Sequence, residues 1–211
     1  MEKNIRKHQT ELSAKMYNHI ITDVWWAKRF NDFFWVDERF LTQELFEHIP
    51  KDKSLKILEL PITGILTLDH YKLYSKSDII GCDYSPMMLS LAKKKAESLG
   101  IDQISFLEGN VESLPFEDAF DVVLSMNGLH VFKNKEKALQ ELIRVVKPGG
   151  LFLCSYLENN RTDWLVKNVY LKKGFFSLPF YCKSQFENIL RKYCSEVMVK
   201  SYKAQLFICK K

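Results

Sequence analysis

Residues 56–83, KILELPITGILTLDHYKLYSKSDIIGCD, leave a chain like this few ways to fold. They open on a short apolar run, Ile57-Leu58-Glu59-Leu60, broken at Pro61 and turned at Thr63-Gly64. A weakly helical segment follows, then a second apolar run, Asp78-Ile79-Ile80-Gly81-Cys82, closing on Asp83. This β-α-β rhythm predicts two buried parallel strands joined by a crossover. An acid at the end of the second strand, about 20 residues past a glycine turn, suits the two hydroxyls of a ribose. The unit implies an adenosine-containing ligand before it says which one.

The rest of the chain extends the rhythm. Ser85 is a good N-cap, Pro86 suits the first helical position, and residues 87–99 read as a helix stopped by Gly100. Its inward face is Met88, Leu91, Ala92 and Leu99, while Lys93-Lys94-Lys95 spread over too wide an arc to be anything but a solvated face. Residues 103–107 give a third strand, Glu108-Gly109-Asn110 a turn, and Phe120–Ser125 a fourth, fully buried strand. Asn134 caps a helix over 135–146, which Lys147-Pro148-Gly149-Gly150 stops and turns into a fifth strand, 151–156. Ser184-Gln185-Phe186-Glu187 is a capping-box pattern opening a helix to about Tyr193, and residues 196–209 alternate as two strands around Tyr202-Lys203-Ala204. The expected architecture is α/β: a doubly wound, Rossmann-like, mostly parallel seven-stranded sheet with an antiparallel C-terminal hairpin. Ligands on such sheets sit beyond the carboxyl ends of the strands, beside the first strand.

Ahead of this unit, residues 4–49 carry apolar residues at helical spacing (Leu12, Met16, Ile20 and Val24 on one stripe) and are crowded with aromatics. They are expected to form a helical cap over residues 1–50, with Tyr17 and Trp26 as candidate rings over a pocket. Residues 51–211 form the main domain, with a ring-rich, lid-like insertion at 158–182, the whole being one compact unit. With 211 residues, 46% apolar and 27% charged, the chain is long enough for one substantial core and too apolar for disorder. Five scattered cysteines with no C-x-x-C pair argue against a disulfide framework or a metal site. The N-terminus has no apolar signal core and no run is long enough to insert in a membrane, which suggests a cytoplasmic protein. A net charge of +5 with lysines spread throughout does not point to nucleic acid.

Five segments together resemble class I S-adenosylmethionine-dependent methyltransferases of the small-molecule type, across residues 56–156. ILELPITG resembles the first-strand motif and GCDYSPMML the second-strand exit. EGNVESLPF resembles the segment after the third strand, FDVVLSMNGLHVF the fourth strand and its exit, and RVVKPGG the turn into the fifth. The resemblance implies S-adenosylmethionine as cofactor. It places Asp83 on the ribose hydroxyls, Tyr84 and Met88 about the adenine, Asn110 at its amino group and the Val111 amide at a ring nitrogen. Glu59 would orient the turn or the ligand's amino group, and Leu60, Pro61, Thr63 and Gly64 would form the turn under the methionine part, with the Ser125 and Met126 carbonyls close by. Asn110 stands where the family commonly has an aspartate; an amide oxygen accepts the same bond without a full charge. The glycine turn departs further: Pro61-Ile62-Thr63-Gly64-Ile65 reads as if one glycine before Thr63 were missing.

The implied chemistry is in-line methyl transfer to a small organic acceptor chosen by the ring-rich flanking segments, with the protein mainly positioning and desolvating the partners. His130, at the exit of the fourth strand, is the candidate general base. An alternative is a non-catalytic cofactor-binding or interaction protein of the same fold, with an impaired glycine turn. An NAD-dependent oxidoreductase is disfavoured by the K-P-G-G turn and the terminal hairpin.

Overall fold

The computed structural model describes residues 38–62, 66–156, 177–202 and 204–211. The helices expected before residue 38, the candidate rings Tyr17 and Trp26, the turn residues Thr63 and Gly64, and most of the 158–182 insertion lie outside the described residues.

A short helix, α1 (Glu38–Phe46), leads into β1 (Lys56–Glu59), α2 (Leu68–Tyr71), a 3₁₀ turn (Lys72–Tyr74) and β2 (Asp78–Asp83). Then come α3 (Pro86–Leu99), β3 (Ile104–Glu108), β4 (Phe120–Ser125), α4 (Lys135–Arg144), β5 (Val146–Tyr156), α5 (Lys183–Leu190), β6 (Glu196–Ser201) and β7 (Gln205–Lys210). The seven strands form one sheet in the order β3-β2-β1-β4-β5-β7-β6. The first five are parallel, and β7 runs antiparallel between β5 and β6. This is the doubly wound arrangement expected, with the terminal hairpin folded so that its second strand is innermost. Because β1 lies between β2 and β4, the chain reverses direction across the sheet beside β1, and a crevice belongs there.

Two apolar layers sandwich the sheet. One joins Leu58, Val123, Phe152 and Phe207 to α4 and α5 through Leu139, Leu142 and Phe186. The other joins Ile57, Ile79, Val122 and Leu153 to α1 and the first crossover through Leu41, Leu45, Tyr71 and Tyr74. β4 is buried almost throughout, as its continuous apolar run requires.

Local chemistry sets most boundaries. Ser85 accepts from the Met88 N–H and Pro86 takes the first helical position of α3; Gly100 ends it at φ 66°, a left-handed conformation natural to glycine. On α3, Met88 and Ala92 are buried as expected, with Ala96 completing that face in place of the half-buried Leu91 and Leu99. Three expectations are corrected. Helix α4 stops at Arg144, not 146, because Val146 already pairs with Phe120 in the sheet. The fifth strand therefore starts at Val146, and Lys147-Pro148-Gly149-Gly150 forms a bulge inside it, between the pairs Phe120–Val146 and Val122–Leu151. Helix α5 is capped two residues earlier than Ser184: the Cys182 N–H donates to Gln185 Oε1 at 2.9 Å, and Ser184 lies within the first turn.

Candidate functional site

The parallel strands all point their carboxyl ends at one rim, and the ends of β1, β2, β3 and β4 are stitched together there. The Leu60 N–H donates to Leu124 O (3.0 Å), the Ile62 N–H to Cys82 O (2.8 Å) and the Gly109 N–H to Asp83 O (3.0 Å). Pro61, which has no N–H, falls between two of these bonds, so its missing donor costs no pairing there. Ile62 is fully buried and lies against Gly81; a Cβ on Gly81 would stand 3.0 Å from Ile62 Cδ1. Gly128, after β4, comes closer still to the first-strand exit: a Cβ there would collide with Pro61 Cδ and stand 2.7 Å from Ser125 Oγ. Only glycine permits that approach.

Asp83 ends β2 beside this stitching. Its Oδ1 accepts from the Ser85 N–H at 2.8 Å, and the Tyr84 N–H also favours its charged form. Burial outweighs both and pushes the carboxyl up to about 7. Among the described residues no cationic side chain reaches it. A buried acid held only by backbone N–H groups keeps oxygen lone pairs for further donors, which fits a vicinal diol. Tyr84, next in sequence, is 47% exposed, whereas Met88 is buried at the start of α3.

Across from Asp83, in register with the end of β2, β3 leads to Gly109, Asn110 and Val111. Asn110 is exposed, and its Oδ1 accepts from the Glu112 N–H at 3.0 Å, a local turn that fixes the side chain. Val111 is buried. The loop beyond it is held from below by α4. Glu141 Oε2 accepts from the Leu114 N–H (3.1 Å), and Arg144 donates to Leu114 O (2.9 Å), Phe116 O (2.6 Å) and Glu141 (2.8 Å). The guanidinium, foremost, brings the Glu141 carboxyl down to about 2. Asn134 joins the same support at the start of α4: its N–H donates to Glu112 Oε1 (3.3 Å), and its Oδ1 accepts from the Lys137 N–H (3.0 Å).

Glu59, fully buried, lies one level below the rim. Its two oxygens accept from Thr67 Oγ1 (3.0 Å) and Tyr71 Oη (2.8 Å), so the carboxylate braces the first crossover. Burial first, then Glu59, pushes the Tyr71 phenol well up. Leu60 and Met126 are core residues, and Ser125 is buried with its hydroxyl unpartnered among the described residues.

The exits of β4 and β5 make the other half of the rim. Asn127 sits at φ 52°; its N–H donates to Ser155 Oγ (2.9 Å) and its side-chain amide to Glu38 Oε1 of α1 (3.1 Å). His130 is buried, and burial first, then the nearby Lys135 charge, brings its imidazole down to about 3. It is therefore a neutral ring at physiological pH, and in this arrangement a weak base. The Tyr156 hydroxyl, at the end of β5, donates to Tyr181 O at 2.7 Å.

The structure thus brings Pro61, Asp83, Tyr84, Met88, Asn110 and Val111 to one side of the rim and Ser125, Met126 and His130 to the other. The bracing residues Thr67, Tyr71, Glu141, Arg144, Lys135 and Ser177 were missed in the sequence. Among the described residues, no group of His, Cys, Asp and Glu is placed to hold a metal ion, and no helix is long and apolar enough to cross a membrane.

Comparison with known proteins agrees with this geometry. Residues 62–154 match the family model described as "Methyltransferase domain". A demethylmenaquinone methyltransferase of Thermus thermophilus is 42% identical over 97 residues, covering 45% of this chain and 44% of the relative. The Bacillus pumilus protein of the same name is 36% identical over 118 residues, covering 56% and 48%. The chain thus spans less than half the length of these curated relatives. A solved O-methyltransferase family protein from Burkholderia thailandensis shares the fold at TM-score 0.69 and 17% identity, covering 92% of this chain and 61% of that one. Strand order, rim motifs and likenesses thus agree: residues 62–154 are similar to a methyltransferase domain, set in the fold such proteins share.

Proposed function

We propose that the protein transfers the methyl group of S-adenosylmethionine to a small organic acceptor. The observation that carries this is Asp83, whose buried carboxylate is held among the described residues by backbone N–H groups alone, while its backbone carbonyl accepts from Gly109 beside the Asn110–Val111 turn. Asp83 would take the ribose hydroxyls, Met88 and Tyr84 would border the adenine, and Asn110 and the Val111 amide would meet its edge. Leu60, Pro61, Thr63 and Gly64 would lie beneath the methionine part, facing the Ser125 and Met126 carbonyls, with Glu59 bracing the crossover behind them.

The cofactor, when bound, supplies an electrophilic methyl on a sulfonium, so the chain needs no nucleophile of its own. Its residues orient the two partners in line and keep water out. His130 faces the acceptor side. At about 3 its imidazole is too acidic to be an efficient proton sink near neutrality, so it serves there as a neutral hydrogen-bonding ring that orients an acceptor hydroxyl. The relatives' name favours demethylmenaquinone, or an acceptor with a similar naphthoquinone-type ring.

Calorimetric titration with S-adenosylmethionine, S-adenosylhomocysteine and NAD tests the cofactor reading: the first two bind and the third does not. Methyl transfer from labelled S-adenosylmethionine to a demethylated naphthoquinol tests the acceptor. A binding-only protein of the same fold is the second reading, favoured by the buried Ile62 that fills the first-strand exit. Cofactor binding without transfer to any of a panel of quinols, catechols and phenols would select it.

A further inference from the structure

Lys135 is the first residue of α4 and is 1% exposed, an expensive place for an ammonium. A helix N-terminus adds an unfavourable dipole, and among the described residues no carboxylate pairs with it. All three of its donors are instead spent on neutral oxygens: Phe132 O (3.0 Å), Ser177 O (2.8 Å) and Ser177 Oγ (2.7 Å). Ser177 completes the knot. Its N–H donates to His130 O at 2.8 Å and its hydroxyl donates to Phe132 O. The bonds join two segments 42 residues apart in sequence, the loop leaving β4 and the chain approaching α5. An apolar side chain would fill the same volume without the desolvation cost, so the cost must be set against what the knot orders.

We infer that Lys135 is a positioning residue for methyl transfer: its ammonium pins Ser177 to the loop leaving β4 and so fixes the acceptor-side wall that carries His130. This rests on the methyltransferase reading above. The knot lies on the β4 side of the rim, whereas Asp83, Asn110 and Val111 lie on the β2–β3 side. Loss of Lys135 should therefore loosen one half of the site and spare the other. The same charge also acts on His130, second to burial in holding that ring neutral.

The test compares wild type with Lys135→Met and Ser177→Ala, each first shown to be folded by urea unfolding. Hydrogen exchange at the Ser177 amide should speed up at least tenfold in Lys135→Met and less in Ser177→Ala, while amides of β2 and α3 keep their protection. S-adenosylhomocysteine should bind all three proteins within about threefold. The His130 ring, followed by NMR, should titrate higher in Lys135→Met, since a loosened wall and the lost charge both raise it. With a demethylated naphthoquinol as probe, kcat should fall at least tenfold in Lys135→Met at unchanged KM for S-adenosylmethionine. The inference is overturned if the Ser177 amide keeps its protection in folded Lys135→Met, or if S-adenosylhomocysteine affinity falls as far as turnover. If Lys135→Met does not fold, Ser177→Ala decides on the same exchange and affinity criteria. If wild type binds S-adenosylhomocysteine but methylates no naphthoquinol, the acceptor assignment fails, and exchange, affinity and the His130 titration still decide the role of Lys135.

Discussion

The two halves of the rim are built on opposite plans. On the β2–β3 side, the groups that would meet a ligand lie within a few residues of the strand that delivers them: Asp83 ends β2, and Asn110 and Val111 follow β3 directly. Short backbone bonds between neighbouring strands hold them. On the β4–β5 side, the groups are held by side chains reaching far along the chain, Lys135 to Ser177, Tyr156 to Tyr181 and Asn127 to Glu38. The first half is set by the geometry of neighbouring strands, with α4 bracing only the loop beyond Val111. The second exists only when distant segments have already docked, so each of its ties can fail alone.

The largest expected effect separates the halves most sharply. Asp83→Asn should weaken S-adenosylhomocysteine binding by about 3 kcal/mol, roughly 100-fold, by removing charge-assisted bonds to two hydroxyls. At pH 8 it should leave stability unchanged or higher, because a buried ionised acid is gone. A loss below tenfold by calorimetry would show that the β2–β3 half does not hold the nucleoside.

The pH dependence comes next. Asp83 sits at about 7 in the free protein against an ordinary 3.8, and ribose hydroxyls prefer the ionised carboxylate. Affinity should therefore rise with pH up to about 7 and level off, weakening by up to about tenfold per unit below it, with proton release on binding. For stability the sign is opposite: the native carboxyl holds its proton longer than the unfolded one, so its contribution worsens from pH 3.8 to about 7 and the cost stands in full above that. Both trends should vanish in Asp83→Asn and persist in Lys135→Met.

Glu141→Ala should cost about 1–3 kcal/mol in urea unfolding, since the Leu114 N–H and Arg144 lose their acceptor together. With its carboxyl brought down to about 2, this contribution is present above pH 4.5 and lost as pH falls toward 2. Cofactor affinity should drop only severalfold, because α4 supports the 112–116 loop from behind. Tyr71→Phe should have the smallest effect, about 1 kcal/mol of stability and less than a threefold change in S-adenosylhomocysteine affinity, as Glu59 keeps the Thr67 hydroxyl.

The contrast also explains what the sequence made legible. Asp83, Ser85, Pro86 and Gly100 carry their chemistry in the local chain, so strand end, cap and stop could be read in a line. The succession of β1 to β5 along the chain followed from the same local signals. Lys135 read only as the first residue of a helix, because its partner Ser177 is brought to it by the fold and not by spacing. The bulge at Lys147–Gly150 was hidden for a related reason: only the pairing of Val146 with Phe120 shows that the strand has begun before the glycines. Glu59 was recognised as important, but its donors Thr67 and Tyr71 become visible only once the crossover has closed over it.

Asn134 and Lys135 are adjacent residues that face different banks of the crevice, one tied to Glu112 and the other to Ser177. A single peptide link thus joins the loop that follows β3 to the chain that approaches α5. Each neighbour holds its own bank by its own bond, the Asn134 N–H on Glu112 and the Lys135 ammonium on Ser177, so one tie can be cut while the other stands.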